Sequence, residues 1–319
     1  SVGWDVSQEE FLKTSSIVNQ LKLRASYGAL GADQIGNFDS RGLFGGGFNY
    51  NGVSGIAPTQ LSNPNLRWEQ NVTTNLALDY GLFNNRLQGS VEYFIRTSKD
   101  LILDRPVTWL SGYSTISENV GELQNKGLEV DVKLVAVDKS ADNKGFKWTT
   151  SFNFTYIDNK VTKLYDTLTT LPGRAVDGWI KIGYPVNSIY TAQYAGVNPA
   201  TGRAMWYDNN GNIIYRLAGD VNAYSRIIGS QIPKYYGGLT NSFSYKGFDL
   251  EVFFNYEFGR TVFNNQSAFM SENGGRAFNV LSSIYQDRWT TPGQITSVPR
   301  PFNGNAEVLG SGITAGSRF

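Results

Sequence analysis

The stretch "IPKYYGGLTNSFSYKGFDLEVFFNYEFG" (residues 232–259) reads as two strands folded about one turn at Lys246-Gly247. In its second half Phe248, Leu250, Val252, Phe254, Tyr256 and Phe258 alternate with Asp249, Glu251, Phe253, Asn255, Glu257 and Gly259. A strand sends successive side chains to opposite faces, so one face here is continuously apolar and the other mostly polar. The chain as a whole has a negative mean hydropathy, −0.30. The greasy face therefore belongs to a particular surface and not to a generally apolar chain.

The same alternation recurs, and strands are expected near 21–28, 70–82, 86–102, 119–136, 146–157, 235–245 and 248–259. Leu21, Leu23, Ala25 and Tyr27 oppose Lys22, Arg24 and Ser26. Val72, Leu76, Leu78 and Tyr80 oppose Asn71, Thr73, Asn75 and Asp79, and Val91, Tyr93 and Ile95 oppose Glu92, Phe94 and Arg96. Leu128, Val130, Val132 and Leu134 oppose Glu129, Asp131 and Lys133, and Trp148, Phe152 and Phe154 oppose Lys147, Ser151 and Asn153. The strand at 235–245 is the least regular, with Asn241 on its apolar side. Residues 5–14 carry the one helix start, with Ser7 as cap and Glu10 three residues on.

Short and long connections alternate strictly. Asn84-Asn85, 138–145 and Lys246-Gly247 are tight turns, Asn and Gly tolerating the left-handed backbone that such turns need. The connections 28–69, 103–119, 158–234 and 260–319 are long. An up-and-down sheet then has every tight turn at one end and every long loop at the other, the arrangement of outer-membrane barrels with long extracellular loops. Hydrocarbon requires every backbone polar group to be paired within the sheet, and about 9–11 tilted residues cross it. The fold class expected is all-β: an antiparallel up-and-down transmembrane β-barrel, apolar face to lipid and polar face to the lumen. Phe94 and Phe253 point into the lumen and are expected to pack against loops or a plug. Seven strands leave two open edges and an odd count, so a partial barrel is expected, with further strands before Ser1 and after Phe319.

Composition excludes several functions. The 28 basic and 27 acidic residues nearly cancel, against the basic excess of nucleic-acid binders. No cysteine or histidine is present, which removes disulfides, thiolate zinc sites and every His-dependent triad. No cofactor is called for. No run reaches the roughly 20 apolar residues of a membrane helix, but a barrel strand exposes only alternate residues to lipid.

Several stretches resemble the SusC/RagA-type TonB-linked outer-membrane transporters of Bacteroidetes, in the family's order. They are "LKLRASYG" (21–28), "NPNLRWEQ" (63–70), "NRLQGSVEYFIRTSKDLI" (85–102) and "NVGELQNKGLEV" (119–130). With them stand "IGSQIPKYYGGLTNSFSYKGFDLEVFFNYEFG" (228–259), "DRWT" (287–290) and "PR" (299–300). The resemblance implies a 22-stranded barrel occluded by an N-terminal plug, which this chain lacks together with the final strands. It further implies TonB-dependent import of oligosaccharide or peptide across the outer membrane, with a SusD-like lipoprotein as lid. TonB would be contacted through the absent N-terminal portion.

The candidate site residues are of two kinds. Glu92, Arg96, Glu129, Asp131 and Lys133 are expected on the lumen wall, as a charge-balanced wetted surface or as an acid/base pair of the glycosidase kind. Trp109, Tyr113, Trp179, Tyr184, Trp206 and Tyr207 fall in the long loops, where aromatic faces stack on sugar rings, pack the loops together or contact a lid protein. Trp68 and Trp148 are assigned to interfacial aromatic girdles. "DNNGN" (208–212) resembles the start of a calcium loop but lacks its closing Glu, and reads as a hairpin turn. "GLFGGGF" (42–48) does not match a phosphate cradle and is expected as a loop tip. "NVT", "NFT" and "NQS", at Asn71, Asn153 and Asn265, match the glycosylation pattern by chance. A soluble all-β carbohydrate-binding or adhesin module, and a β-rich glycosidase, remain as alternatives; metal sites are not expected.

Overall fold

In the computed structural model, which describes residues 1–33, 35–139, 145–165, 168–171, 178–217, 221–271 and 279–301, the alternating segments pair into one antiparallel sheet. In chain order the strands are β1 (Val2–Asp5), β2 (Val18–Ala32), β3 (Leu43–Tyr50), β4 (Val53–Gln60), β5 (Glu69–Leu82), β6 (Leu87–Pro106), β7 (Thr115–Asp138) and β8 (Phe146–Lys163). They continue with β9 (Thr170–Leu171), β10 (Ile180–Lys181), β11 (Ser188–Val197), β12 (Ala204–Tyr207), β13 (Ile213–Ile214), β14 (Ser225–Ser230), β15 (Tyr235–Tyr245) and β16 (Phe248–Phe258). The main sheet runs β1-β2-β5-β6-β7-β8-β15-β16, so its neighbours follow chain order once the excursions are set aside.

Tight turns have the backbone that their residues permit. Phe83, Asn84 and Asn85 all take positive φ between β5 and β6, and Lys246 and Gly247 do so between β15 and β16. Of the turn near 138–145, residues 140–144 lie outside those described, as do 302–319.

The sheet has eight strands where seven are expected. β1 is four residues long and pairs with β2 from Val2 opposite Ala25 to Asp5 opposite Lys22, too short to show a period. The helix expected over 5–14 is instead a 3₁₀ turn, Val6–Gln8, and the single turn α1 (Glu10–Lys13), whose N-cap residue Glu9 makes no side-chain cap. Ser7, the expected cap, donates its hydroxyl to Asp5 Oδ1 at 2.5 Å.

The loops expected at 28–69, 103–119 and 158–234 contain more strand than their sequences suggest. β6 and β7 run 20 and 24 residues and leave 107–114 as their connection. Both outlast the roughly 9–11 residues that a tilted strand needs to cross hydrocarbon. Beyond the membrane both faces of a ribbon meet water, so apolar alternation stops while pairing continues through polar contacts. Arg105 grips Glu118 with two bonds of 2.8 Å, and Ser117 donates to Asp104 at 2.8 Å. The segment before β5 is strapped to this ribbon: Asn119 Nδ2 donates to the Arg67 and Asp100 carbonyls at 2.6 and 2.8 Å, and its Oδ1 accepts from Arg67 N at 2.8 Å. "GLFGGGF", expected as a loop tip, lies largely in β3, which pairs with β4 around Asn51-Gly52; glycines and register shifts conceal the period.

The described chain divides into two compact units. The first is Ser1–Leu171, Ile180–Val186 and Pro233–Gly259, holding the main sheet; the second is Pro172–Trp179, Asn187–Ile232 and Arg260–Phe319. The second unit is built on the sheet β13-β12-β11-β14, with a core of Ala192, Ala204, Trp206, Leu217 and Tyr224. The short helices α2 (Asn265–Met270) and α3 (Ser282–Asp287) follow. There the "DRWT" and "PR" motifs close on one turn: Trp289 Nε1 donates to the Pro199 carbonyl and Arg300 N to that of Gly202, both at 2.9 Å.

Candidate functional site

Register fixes which side chains share the inner face of the main sheet. Glu92 stands opposite Ala77 on β5 and Glu129 on β7; Asp131 is opposite Ser90 and Asn153, Lys133 opposite Gln88 and Ser151, and Arg96 opposite Thr73 and Asn125. All five expected wall residues thus lie on one face, across β6 and β7. Glu92 and Glu129 confront each other directly, an unfavourable pairing of like charges. The countercharge comes from a residue that the wall assignment omits. Arg24 on β2 binds Asp79 with two bonds of 2.7 and 2.8 Å, and its Nη2 lies 3.7 Å from Glu92 Oε2. Arg24 and Asp79 both sit at polar positions of the alternating pattern, but their meeting depends on β2–β5 register, which the pattern leaves open. Among the described residues no group of three or more acidic side chains is placed to hold a metal ion.

The inner-face aromatics are accommodated by the sheet itself. Phe94 lies over Gly127, its register partner, and Phe253 lies over Gly238, where an added Cβ would sit 2.8 Å from the Phe253 ring. In each case a glycine on the neighbouring strand makes room for the ring.

The outer face is apolar and open. Phe248 and Leu250 are 81% and 60% exposed, and Phe254 is 58% exposed, so no second layer covers them among the described residues. On β8 the outward residues Trp148, Thr150, Phe152, Phe154 and Tyr156 are bounded above by Asp158. Eight residue steps make roughly 27 Å of strand, or about 21 Å of height at the usual barrel tilt, close to the thickness of an apolar band. Rings cluster at both ends of that band. Phe146, Trp148 and Phe243 stack toward the tight turns, with Trp148–Phe243 centroids 5.8 Å apart. Phe154, Tyr156 and Tyr235 gather toward the long connections, with Tyr156–Tyr235 at 5.3 Å. Trp68 is exposed beside Gly31 at the same end.

The loop aromatics divide between the two units. In the first, Trp109 begins a 3₁₀ turn (Trp109–Ser111), its side chain outside those described; Tyr113 is half-buried, and Tyr184 is exposed with Lys181 Nζ 5.8 Å from its ring centre. In the second, Trp179 packs on Tyr190 at 4.6 Å, and Tyr207 is half-buried opposite Gln193 and Ile213. Trp206 requires a correction: it is 2% exposed at the centre of that unit's core and offers no face to cargo. Its place in "AMWYDNNGNII" explains why, since alternation sends Ala204 and Trp206 inward together. Asp208 opens the following turn. Its carboxylate accepts from Asn210 N, Asn212 N and Asn212 Nδ2 at 2.9, 2.7 and 3.0 Å. The Asn212 side chain and the turn's amides hold it below the usual carboxylate range. The segment is a hairpin turn around Gly211, with its acidic group already occupied.

A charged inner face, a lipid-height apolar outer face and aromatic belts at both ends define a stretch of outer-membrane β-barrel wall. Residues 1–268 match the family described as TonB dependent receptor-like, beta-barrel, and the chain belongs to that family of outer-membrane receptors and transporters, which are not enzymes. It is 30% identical to TonB-dependent receptor P39 of Formosa agariphila, covering 93% of this chain and 32% of the relative. It is 28% identical to TonB-dependent receptor SusC of Bacteroides thetaiotaomicron, covering 78% of this chain and 26% of the relative. Among solved structures, the RagAB peptide transporter superposes with a TM-score of 0.82 at 30% identity, over 96% of this chain and 34% of that one. The chain therefore spans about a third of the length of the relatives it matches.

Proposed function

We propose that the whole protein imports a large nutrient, an oligosaccharide or a peptide, across the bacterial outer membrane in a TonB-dependent step. A SusD-like surface lipoprotein acts as its lid. The observation that carries this reading is the two-sided wall: Arg24, Asp79, Glu92, Glu129, Asp131 and Lys133 on one face, and Phe248, Leu250, Phe254 and Phe258 on the other. A wetted interior suits passage of a polar cargo, and likeness to SusC and the RagAB peptide transporter supports an energised importer with a partner. Coupling to TonB is assigned to the remainder of the protein, because this chain spans about a third of its relatives. Tyr113, Tyr184, Trp179 and Tyr207 are retained as cargo-stacking candidates in the loops, with Trp109; Trp206 is not.

The test is a strain lacking the full-length gene, grown on defined glycans or on peptides as sole nutrient and complemented by the wild type. Loss of growth on one class identifies the cargo. Uptake that survives collapse of the proton gradient would overturn the energised step. Gentle solubilisation that recovers the barrel without any surface lipoprotein would overturn the lid.

A further inference from the structure

On three adjacent strands a lysine lies on the outer face just beyond its apolar stretch. Along β7 the outward residues run Leu134, Val132, Val130, Leu128 and then Lys126; along β8 they reach Tyr156, then Asp158 and Lys160. Along β6 they run Val91, Tyr93, Ile95, Thr97 and then Lys99. Two contacts fix these orientations. Gln124 Nε2 donates to Thr97 Oγ1 at 3.3 Å on the outer face, whereas Ser98 Oγ donates to Asn71 Oδ1 at 2.5 Å on the inner, which turns Lys99 outward. Lys126 shares a register row with Ile95 and Asp158, Lys160 lies opposite Gln124, and Lys99 lies opposite Gln70.

These lysines are poorly neutralised. Lys99 and Lys160 are exposed and Lys126 is half-exposed. Lys160 Nζ is 3.8 Å from Asp158 Oδ2, with both side chains more than two-fifths exposed, and Lys99 and Lys126 make no ion pair among the described residues. The other nearby carboxylates have partners of their own: Glu122 accepts the Thr162 hydroxyl at 2.8 Å and stands opposite Lys163, Asp100 is paired with Arg67 at 2.9 Å, and Glu69 accepts from Ile102 N at 3.0 Å. The patch is thus basic on balance. From Tyr156 to Lys160 is about 13 Å of strand and roughly 10 Å of height, which carries the ammonium groups from the aromatic belt into the headgroup layer. A lysine there keeps its stem on apolar surface and its charge at the lipid phosphates.

We propose that Lys99, Lys126 and Lys160 form a binding site for the phosphorylated headgroups of outer-leaflet lipids on the outer wall of the barrel. The site lies on the lipid face, away from the path of any cargo, and depends on the membrane barrel and not on the import reading. A compact ammonium on a flexible stem suits a phosphate as a point charge, and the three lysines, stepped along neighbouring strands, line the surface that such headgroups meet.

The test uses the full-length protein, extracted and stripped of lipid in a neutral detergent, then titrated with phosphatidylglycerol and followed by native mass spectrometry. Each of K99Q, K126Q and K160Q is expected to weaken retention of the anionic lipid by about fivefold, the attraction that one lysine near a charged membrane surface supplies. Lys→Arg at the same positions should keep it, and K133Q, on the inner face, should leave it unchanged. Heat-modifiable gel mobility verifies that each variant is a folded barrel. Equal retention by the three glutamine variants and wild type would overturn the site, as would equal loss in K133Q. Displacement of the lipid by millimolar inorganic phosphate would also overturn it, marking a simple anion site.

Discussion

The indole N–H of Trp148 donates to Asn241 Oδ1, 3.1 Å away on the adjoining strand. This bond accounts for the one amide on the outer face of β15. A Trp facing lipid leaves its N–H without water, and Asn241 meets that need within the sheet, beside the stacked ring of Phe243. Replacing Asn241 with Leu raises apolarity yet orphans a donor, so the full-length barrel is expected to lose about 0.5–2 kcal/mol. W148F should recover most of the loss in the double variant. Urea unfolding in detergent, read by tryptophan-independent circular dichroism, checks it; an N241L barrel as stable as wild type would refute it.

Tyr256 reaches from β16 across β15 and donates its hydroxyl to the Asn153 carbonyl on β8 at 2.9 Å. The crossing point is Gly237, where an added Cβ would collide with the Tyr256 hydroxyl and with the backbone oxygen of Asn153. At Gly238 the nearest obstacle is the Phe253 ring, which is 61% exposed and free to turn aside. G237A is therefore expected to cost about 1–3 kcal/mol and G238A clearly less. Thermal shifts of the heat-modifiable gel band rank the two, and the reverse order would contradict the crossing.

The membrane-height part of the fold was legible in the sequence because a lipid face imposes strict alternation. Val72 to Leu82, Leu128 to Leu134 and Phe248 to Phe258 show it directly. What escaped was pairing without a greasy face: β1, the upper reaches of β6 and β7 around Arg105 and Glu118, and β3 with its three glycines. The wall charges were legible by face but not by partner. Arg24 meets Asp79 and Glu92 only because Arg24 stands opposite Ala77, which itself stands opposite Glu92. Trp206 shows the opposite limit, since a loop tryptophan looks the same in sequence whether it stacks on cargo or fills a core.

Arg24 offers a graded test of that wall. Its side chain is 42% exposed, so solvent and salt screen the pair and R24A is expected to cost no more than about 1 kcal/mol. R24E is different in kind: it adds a third carboxylate beside Asp79 and Glu92, which already faces Glu129. R24E should therefore destabilise more than R24A at low ionic strength, with the gap narrowing in 1 M salt, where the screening length falls to about 3 Å. Unfolding midpoints at two salt concentrations read this. A gap that does not narrow would show that the charges do not act through the lumen.

The Asp208 turn is expected to respond to pH. Its carboxylate is held below its ordinary value of 3.8 first by the Asn212 side chain and then by the turn's amides. A folded-state value below the unfolded one means stability that is fully present above the unfolded value and lost as pH falls through the folded value. The hairpin of β12 and β13 should thus be intact from neutral pH down to about 4 and loosen below it. D208N, which keeps the shape but has no charge, should remove the acid-dependent step and weaken the turn at neutral pH. Hydrogen exchange of a peptide spanning residues 204–214 in the full-length protein measures both effects. A wild-type exchange rate that follows only the intrinsic chemistry between pH 5 and pH 3 would show that the carboxylate does not hold the turn.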